Sequence, residues 1–401
     1  MSATPTPPDI QVYASFPHAI AFGTDLNVDP DNWHWVHSLS FPLPTLDRLQ
    51  FSHKPYKWIR YSIGIIVGAE GDLSFSPDFR DIADYNSGPP YEPTVLYYHI
   101  NDDEKRKIFP VDPNITRTRV TSSVATSRRA EFCSEVAERD GNRCVFTEMD
   151  ADSCNAVHLI AHSKGDTYIS TYTQYRSRCL TGDDIIQEID SVRNGLFLNN
   201  LTHGGLGQNI AFLPTPNFAM VTTDIDYNAD PEEKRYTAHL FKPSAPSLLG
   251  GFNPPPSGSP LRRISNSPEW PPTILFDAVY AGAVLHHFGT QELKDVVSAN
   301  WNDVFYPDGV MDQPHADYKK ITYSRAEDNR KKGKQAQERM MRYDAHHGPD
   351  AFDTLMTLPY IMVPQNELKT MLREAKEKAE ATEQKRVQEK VNAWNRQVIS
   401  S

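Results

Sequence analysis

The alternation of apolar and polar residues divides the chain into stretches of different type. Residues 58–67 (WIRYSIGIIV) and 94–100 (TVLYYHI) are rich in aromatic and β-branched side chains, and turn-forming residues lie between them. These two runs predict strands, and residues 1–120 are therefore expected to form a β-rich domain. The aromatic residues there, among them Trp33, Trp35 and Trp58, favour packing of a small β core over a base-stacking surface.

A helical period replaces this pattern between Val120 and Gly141. Phe132 and Val136 recur at helical spacing, and the pair Asp140-Gly141 is typical of a helix end. We predict one helix here, with most of its charged face in solvent.

Helical spacing returns in the carboxy-terminal part of the chain. Residues 274–288 are apolar enough for a buried helix that ends at Gly289, and residues 291–301 predict a second helix. The segment 366–396 alternates Glu and Lys with a weak apolar stripe. This pattern predicts an exposed helix, through which a partner helix could bind.

Proline, serine and glycine dominate residues 241–272, which predicts a linker or long loop. The expected fold class is α+β: a β-rich amino-terminal domain, a middle module that carries the candidate chemistry, and a helical carboxy-terminal region. The predicted division is 1–120, 121–240, 241–272, 273–362 and 363–401.

Composition narrows the functional classes. The chain is 39% hydrophobic and 23% charged, as in ordinary globular proteins, and it has only four cysteines. The amino terminus lacks the apolar core of a signal peptide, and no apolar run is long enough for a membrane span. We therefore expect an intracellular protein, cytoplasmic or nuclear, with no membrane partner.

Charge also limits how the chain could bind nucleic acid. The net charge of −11 disfavours a non-specific coat on nucleic acid, because phosphate binding is driven by Lys and Arg. Any positive charge used for that purpose would have to be concentrated locally.

Three residues of the middle region suggest chemistry. His158 lies in the apolar run 157–160, which predicts a strand, and Asn194 begins a turn that leads into a second strand. Asn199 or Asn200 is placed to cap a helix that carries His203.

Hydrolysis of a phosphodiester needs a base for water, a cation for the developing charge, and a group that orients the base. A neutral imidazole at His158 suits the first role near pH 7. The Asn194 amide can bond backbone or imidazole without adding charge, and an imidazole on a helix, such as that of His203, suits metal binding.

The same stretch resembles the HNH endonuclease family. The resemblance rests on four segments: Arg143-Cys144-Val145, Cys154-Asn-Ala156-Val-His158-Leu-Ile160, Asn194-Gly-Leu-Phe-Leu198 and His203. It implies a ββα-metal fold in which His158 is the general base, Asn194 orients it and His203 binds one divalent ion, Mg²⁺ or Zn²⁺. It also implies a nucleic-acid substrate, with DNA expected first and RNA as the alternative.

Two positions depart from the family pattern. Many HNH proteins have a metal ligand just before the base and another one turn after the helix histidine, where this chain has Val157 and Gly207. We expect Asp190 to supply the additional ligand, and Asp150, Asp152 and Asn209 are the other candidates nearby in the sequence. Three cations in and beside the insertion between the strands are candidates for phosphate binding: Lys164, Arg178 and Arg193.

Two other interpretations stay open from the sequence. Cys144, Cys154, His158 and His162 have the residue types of a structural zinc site, although their spacing is not that of a zinc finger. Alternatively, the module is catalytically degenerate and acts as an interaction or regulatory scaffold, which the acidic charge and the missing ligands favour.

Overall fold

The strands and helices are described here from a computed structural model. It describes residues 9–18, 28–88, 92–115, 127–242, 255–262 and 267–305. The strands are β1 (Asp9–Pro17), β2 (Trp33–Pro42), β3 (Asp72–Ser74), β4 (Thr94–His99), β5 (Cys154–His158), β6 (Gly195–Asn199), β7 (Ile210–Thr215) and β8 (Arg235–Leu240). The helices are α1 (Leu43–Leu49), α2 (Pro55–Val67), α3 (Asp102–Lys105), α4 (Ser127–Arg139), α5 (Asp166–Arg176), α6 (Asn200–Gly205), α7 (Thr273–Phe288) and α8 (Gln291–Phe305).

These elements all belong to one of two compact units, Met1–Pro243 with Pro254–Pro314. The other unit, Ser244–Asn253 with His315–Ser401, lies outside the described residues. The predicted exposed helix at 366–396 and the part of region 273–362 beyond residue 305 therefore stay predictions.

A four-stranded sheet forms the amino-terminal region, in the order β2-β1-β4-β3. β1 pairs antiparallel with β2 and parallel with β4. Alternate residues of β1 are fully buried, from Ile10 to Phe16, so one face of the sheet contributes to the core.

The prediction of a strand at residues 58–67 is wrong, because this segment belongs to the helix α2. Pro55 occupies the first turn, where its missing N–H costs nothing, and Gly68 ends the helix in the left-handed conformation with φ of 85°. Ten of the helix's residues are buried, so apolar side chains surround it. A continuous apolar run has no period that distinguishes a buried helix from a buried strand. The strand predicted at 94–100 is confirmed as β4.

The prediction that the aromatic residues fill a core holds for Trp58 and only partly for the other two tryptophans. Trp58 is buried, whereas Trp33 and Trp35 on β2 are half-buried. Trp35 packs edge-on against Tyr97 and His99, on the face of the sheet opposite the fully buried residues. That face is therefore covered by rings that pack on one another.

The middle region contains the antiparallel pair β5–β6, followed directly by α6. α4 packs across this hairpin, and the predicted helix end is confirmed, since Gly141 follows it with φ of 72°. A Cβ at Gly195 would lie 2.6 Å from Val136 and 2.8 Å from Phe132. Glycine at this position therefore allows α4 to approach the hairpin closely.

β7 and β8 form a second hairpin, and α7 packs against β7. The described part of the predicted linker is attached to this hairpin: Ala238 N–H donates to Ser259, and Leu261 N–H donates to Tyr236. The helices predicted at 274–288 and 291–301 are confirmed as α7 and α8, with Gly289 ending the first.

Buried side chains from the first, second and fourth predicted ranges share one hydrophobic cluster. Among the helices that the structure describes, none combines the length and the apolar composition needed to cross a bilayer.

Candidate functional site

The hairpin β5–β6 and helix α6 bring the predicted site residues into one structural motif. His158 is the last residue of β5 and pairs across the strands with Gly195, directly after Asn194. His203 lies on α6, where Asn199 caps the helix by accepting a hydrogen bond from Thr202 N–H at 2.7 Å. The turn and the cap predicted from the sequence are therefore confirmed. The strand predicted at 157–160 is confirmed only for Val157 and His158, because β5 covers Cys154–His158.

Asp190 holds the imidazole of His158. Nε2 of His158 lies 3.0 Å from Oδ1 of Asp190, and the two side chains are only 11% and 8% exposed. The ring of Phe132, on α4, stacks on the imidazole with centroids 3.9 Å apart. A carboxylate in this position fixes the ring's orientation and stabilises its protonated form.

A second imidazole reaches the same carboxylate oxygen. Nε2 of His162 lies 3.5 Å from Oδ1 of Asp190, and the centroids of the two histidine rings are 5.5 Å apart. His162 is 31% exposed, so it is the more accessible of the two. The sequence predicts His162 to be a loop residue and one of four candidate zinc ligands, and no local pattern in the sequence connects it with Asp190.

Asn194 is fully buried and bonds backbone rather than imidazole. Its Oδ1 accepts from Ile160 N–H, and its Nδ2 donates to the carbonyls of Ile160 and Ile189, each at 2.9 Å. Ile160 lies two residues after His158, and Ile189 directly precedes Asp190. One amide therefore connects the two backbone segments that carry the imidazole and its carboxylate.

His203 is exposed as a residue, but its imidazole is partly surrounded by protein, and this desolvation lowers its pKa. The helix ends soon after it, with Leu206 extended and Gly207 at a φ of 74°. No carboxylate among the described residues acts on this imidazole strongly enough to raise its pKa.

A metal site built from His203 and Asp190 does not fit this arrangement. Asp190 lies beside His158 and His162, and within the described ranges no three His, Cys, Asp or Glu side chains are grouped to hold a metal ion. The metal role predicted for these two residues therefore stays a prediction without a matching set of donors.

The structural zinc interpretation is wrong for the described residues. Cys144 accepts hydrogen bonds from the backbone N–H groups of Thr147 and Asn199, and Cys154 donates to backbone carbonyls. Burial raises the pKa of the Cys154 thiol to about 11. The two histidines meet at Asp190 instead, so the four side chains do not converge.

The candidate phosphate-binding cations all have partners within the protein. Lys164 is 2% exposed, and its ammonium lies 2.7 Å from Oδ2 of Asp112, so burial leaves it no surface to offer a phosphate. Arg178 pairs with Glu104 at 2.9 Å and is partly exposed. Arg193 donates to the backbone carbonyls of Asp183 and Ile185.

Comparison with known proteins identifies the motif. Residues 144–208 match the family model of the HNH endonucleases, and this range contains β5, β6 and α6. No curated protein and no solved structure matches the chain. The resemblance predicted from the sequence is therefore confirmed for this part of the chain. HNH nucleases act on nucleic acids and generally use a divalent metal ion.

Proposed function

We propose that this protein is an HNH-type endonuclease that hydrolyses phosphodiester bonds, with DNA as the expected substrate and RNA as the alternative. The observation that carries the proposal is the contact between His158 and Asp190 inside the matched segment. Asn194 supports it, because its three hydrogen bonds fix the backbone on both sides of that contact.

In the proposed reaction, His158 takes a proton from the attacking water. In the tautomer that donates Nε2–H to Asp190, Nδ1 carries the lone pair that accepts this proton. Asp190 then stabilises the imidazolium, and the low exposure of both side chains strengthens the attraction between them. The ring of Phe132 covers one face of the His158 imidazole and lies nearly parallel to it, which limits rotation of the imidazole.

A divalent ion, when bound in an HNH nuclease, stabilises negative charge on the phosphate and the leaving oxygen. In this chain His203 is the residue whose position in the motif suits such an ion, but among the described residues it is not part of a group of three or more His, Cys, Asp or Glu side chains that could hold one. The steps proposed here are therefore those of the chain's own residues.

The alternative function is a degenerate module that serves as an interaction or regulatory scaffold. One observation favours it: Val157 and Gly207 stand where many HNH proteins carry ligands, and Asp190 is bonded to histidines rather than placed beside His203.

Plasmid nicking distinguishes the two functions. Wild-type protein and His158→Ala are incubated with supercoiled DNA and with RNA in Mg²⁺, Mn²⁺ or Zn²⁺. We expect metal-dependent nicking that falls by about 10²–10⁴-fold in the variant, as for loss of a general base. His286→Ala is the matched control, because His286 is exposed at the end of α7 and its substitution should leave nicking unchanged.

Equal inactivity of wild type and His158→Ala at high protein concentration, in every metal, would favour the scaffold. Equal activity of the two proteins would instead remove His158 from the mechanism.

A further inference from the structure

One oxygen of Asp190 lies between two imidazoles. Oδ1 is 3.0 Å from Nε2 of His158 and 3.5 Å from Nε2 of His162, and the rings are 5.5 Å apart between centroids. Hydrolysis of a phosphodiester needs a base at the water and an acid at the leaving oxygen, and imidazole suits both roles near neutral pH. The arrangement thus contains one more proton-transfer group than the base alone requires.

We propose that His162 is a second catalytic residue, the general acid that protonates the leaving oxygen. This inference rests on the proposed endonuclease function. It gives the chain a way to neutralise the leaving group where its described residues provide no complete set of metal donors.

Exposure assigns the two roles. His158 is 11% exposed beneath Phe132, which suits a neutral base whose charge appears only during the reaction. His162 is 31% exposed, which suits the group that has to meet the leaving oxygen of a substrate.

The protons balance over one turnover. His158 accepts a proton as the water oxygen bonds to phosphorus, and protonated His162 donates one as the bond from phosphorus to the leaving oxygen breaks. His158 is then protonated and His162 neutral. After the products leave, exchange with solvent water removes the Nδ1 proton from His158 and returns a proton to the His162 nitrogen that donated one, which restores the starting state.

The identity of the leaving atom tests this role. The cleavage site in a DNA duplex that wild-type protein cuts is first mapped to a single phosphodiester. Which product end carries the phosphate then shows which bridging oxygen is the leaving atom. The same duplex is then prepared with sulfur in place of that oxygen, because a thiolate leaves without needing a proton. Single-turnover rates are measured for wild type, His158→Ala and His162→Ala on both duplexes.

We expect His162→Ala to lower the rate on the oxygen duplex by about 100-fold or more. On the sulfur duplex the same variant should come within about tenfold of wild type, since the acid is no longer needed. His158→Ala should lose the same factor on both duplexes, because the water still has to be deprotonated.

His162→Asn separates catalysis from positioning. Asparagine keeps an N–H that can reach Asp190 but cannot transfer a proton, so it should be as slow as alanine on the oxygen duplex. Thermal unfolding of each variant checks that the fold is intact. An equal loss by His162→Ala on both duplexes, or restoration by asparagine, would overturn the assignment. Wild-type protein that cuts neither DNA nor RNA in Mg²⁺, Mn²⁺ or Zn²⁺ would instead refute the endonuclease function on which the assignment rests.

Discussion

At position 194, one amide side chain makes three hydrogen bonds in a fully buried place. It connects the backbone at Ile160 and at Ile189, so the distance between His158 and Asp190 is set by a group that touches neither of them. A buried backbone group that loses its partner keeps the full cost of its desolvation. The same residue therefore contributes to stability and to the geometry of the site.

Replacing Asn194 by alanine should affect both properties. We expect a loss of about 1–3 kcal/mol in the free energy of unfolding, because the Ile160 and Ile189 groups lose these bonds. Cleavage should fall even at temperatures where the variant is folded, since the spacing of His158 and Asp190 is no longer fixed. Chemical denaturation and nicking assays measure the two effects.

Asn155→Ala is the control for that substitution, because Asn155 lies on the same hairpin but is exposed and bonds only the side chain of Asn200 among the described contacts. It should change neither measurement. Unchanged unfolding of Asn194→Ala would contradict the structural role given to the amide.

Among the elements, α4 is attached to the site through its last residue. The Arg139 guanidinium is 3% exposed and forms two hydrogen bonds of 2.8 Å with the Asp140 carboxylate. It also donates to the carbonyls of Val192, in the turn before β6, and Gly195, the first residue of β6, and to that of Glu269 before α7. Because α4 carries Phe132, this attachment also places the ring that covers His158.

Arg139→Lys should destabilise the protein although it keeps the charge. An ammonium cannot reproduce the planar pairing with Asp140, and it has fewer donors for the three carbonyls. We expect a loss of about 1–3 kcal/mol in the free energy of unfolding, as for buried groups left without a hydrogen-bond partner, measured by chemical denaturation.

The same exchange at Arg143 provides the comparison. Arg143 pairs with Asp150 at 3.2 Å, with both side chains largely exposed, so Arg143→Lys should have little effect. Similar losses for the two variants would mean that burial of the Arg139 pair is not what matters.

In the molecule as a whole, helices and strands from distant parts of the sequence meet in a polar network inside the core. Trp58 Nε1 donates to the Tyr280 hydroxyl, which lies 2.6 Å from Nδ1 of His239, and Tyr61 donates to Asp277 at 2.5 Å. Burial lowers the pKa of His239 to about 3 and raises that of Asp277 to about 6. As pH rises, the His239 shift increases the free energy of unfolding and the Asp277 shift decreases it.

His239 is protonated in the unfolded chain below its ordinary pKa of 6.5, so it lowers stability as pH falls from 6.5 towards 3. Asp277 keeps its proton in the folded state above its ordinary pKa of 3.8, so it lowers stability as pH rises from 3.8 towards 6. Between about pH 4 and 6 the contributions of His239 and Asp277 to the change of stability with pH have opposite signs.

Asp277→Asn should remove the contribution of Asp277 to the pH dependence of stability and leave that of His239. Asparagine keeps an oxygen that accepts from Tyr61, so the contact survives without the titration. We expect the variant's free energy of unfolding to rise with pH by about 1.4 kcal/mol per unit more than that of wild type between pH 4 and 6. Denaturant titrations across this range measure the difference, and parallel curves would contradict the raised pKa of Asp277.

Local signals in the sequence were sufficient for several elements. The Asn199 cap and the end of α7 at Gly289 each depend on residues within a few positions of one another. His158, Asn194 and His203 each lie in a short local pattern of this kind, although the three are far apart in the chain. The period of apolar residues, the caps and the turn residues therefore predicted the motif that the family match confirms.

Tertiary structure decided the rest. Whether residues 58–67 form a strand or α2 depends on the surfaces that surround an apolar run, and not on its own pattern. The burial of Lys164 against Asp112 joins residues far apart in the chain. So does the meeting of His158 and His162 at Asp190, since an insertion separates the histidines from the carboxylate. The sequence determined which residue types the motif offers, and packing between distant segments determined which of them meet.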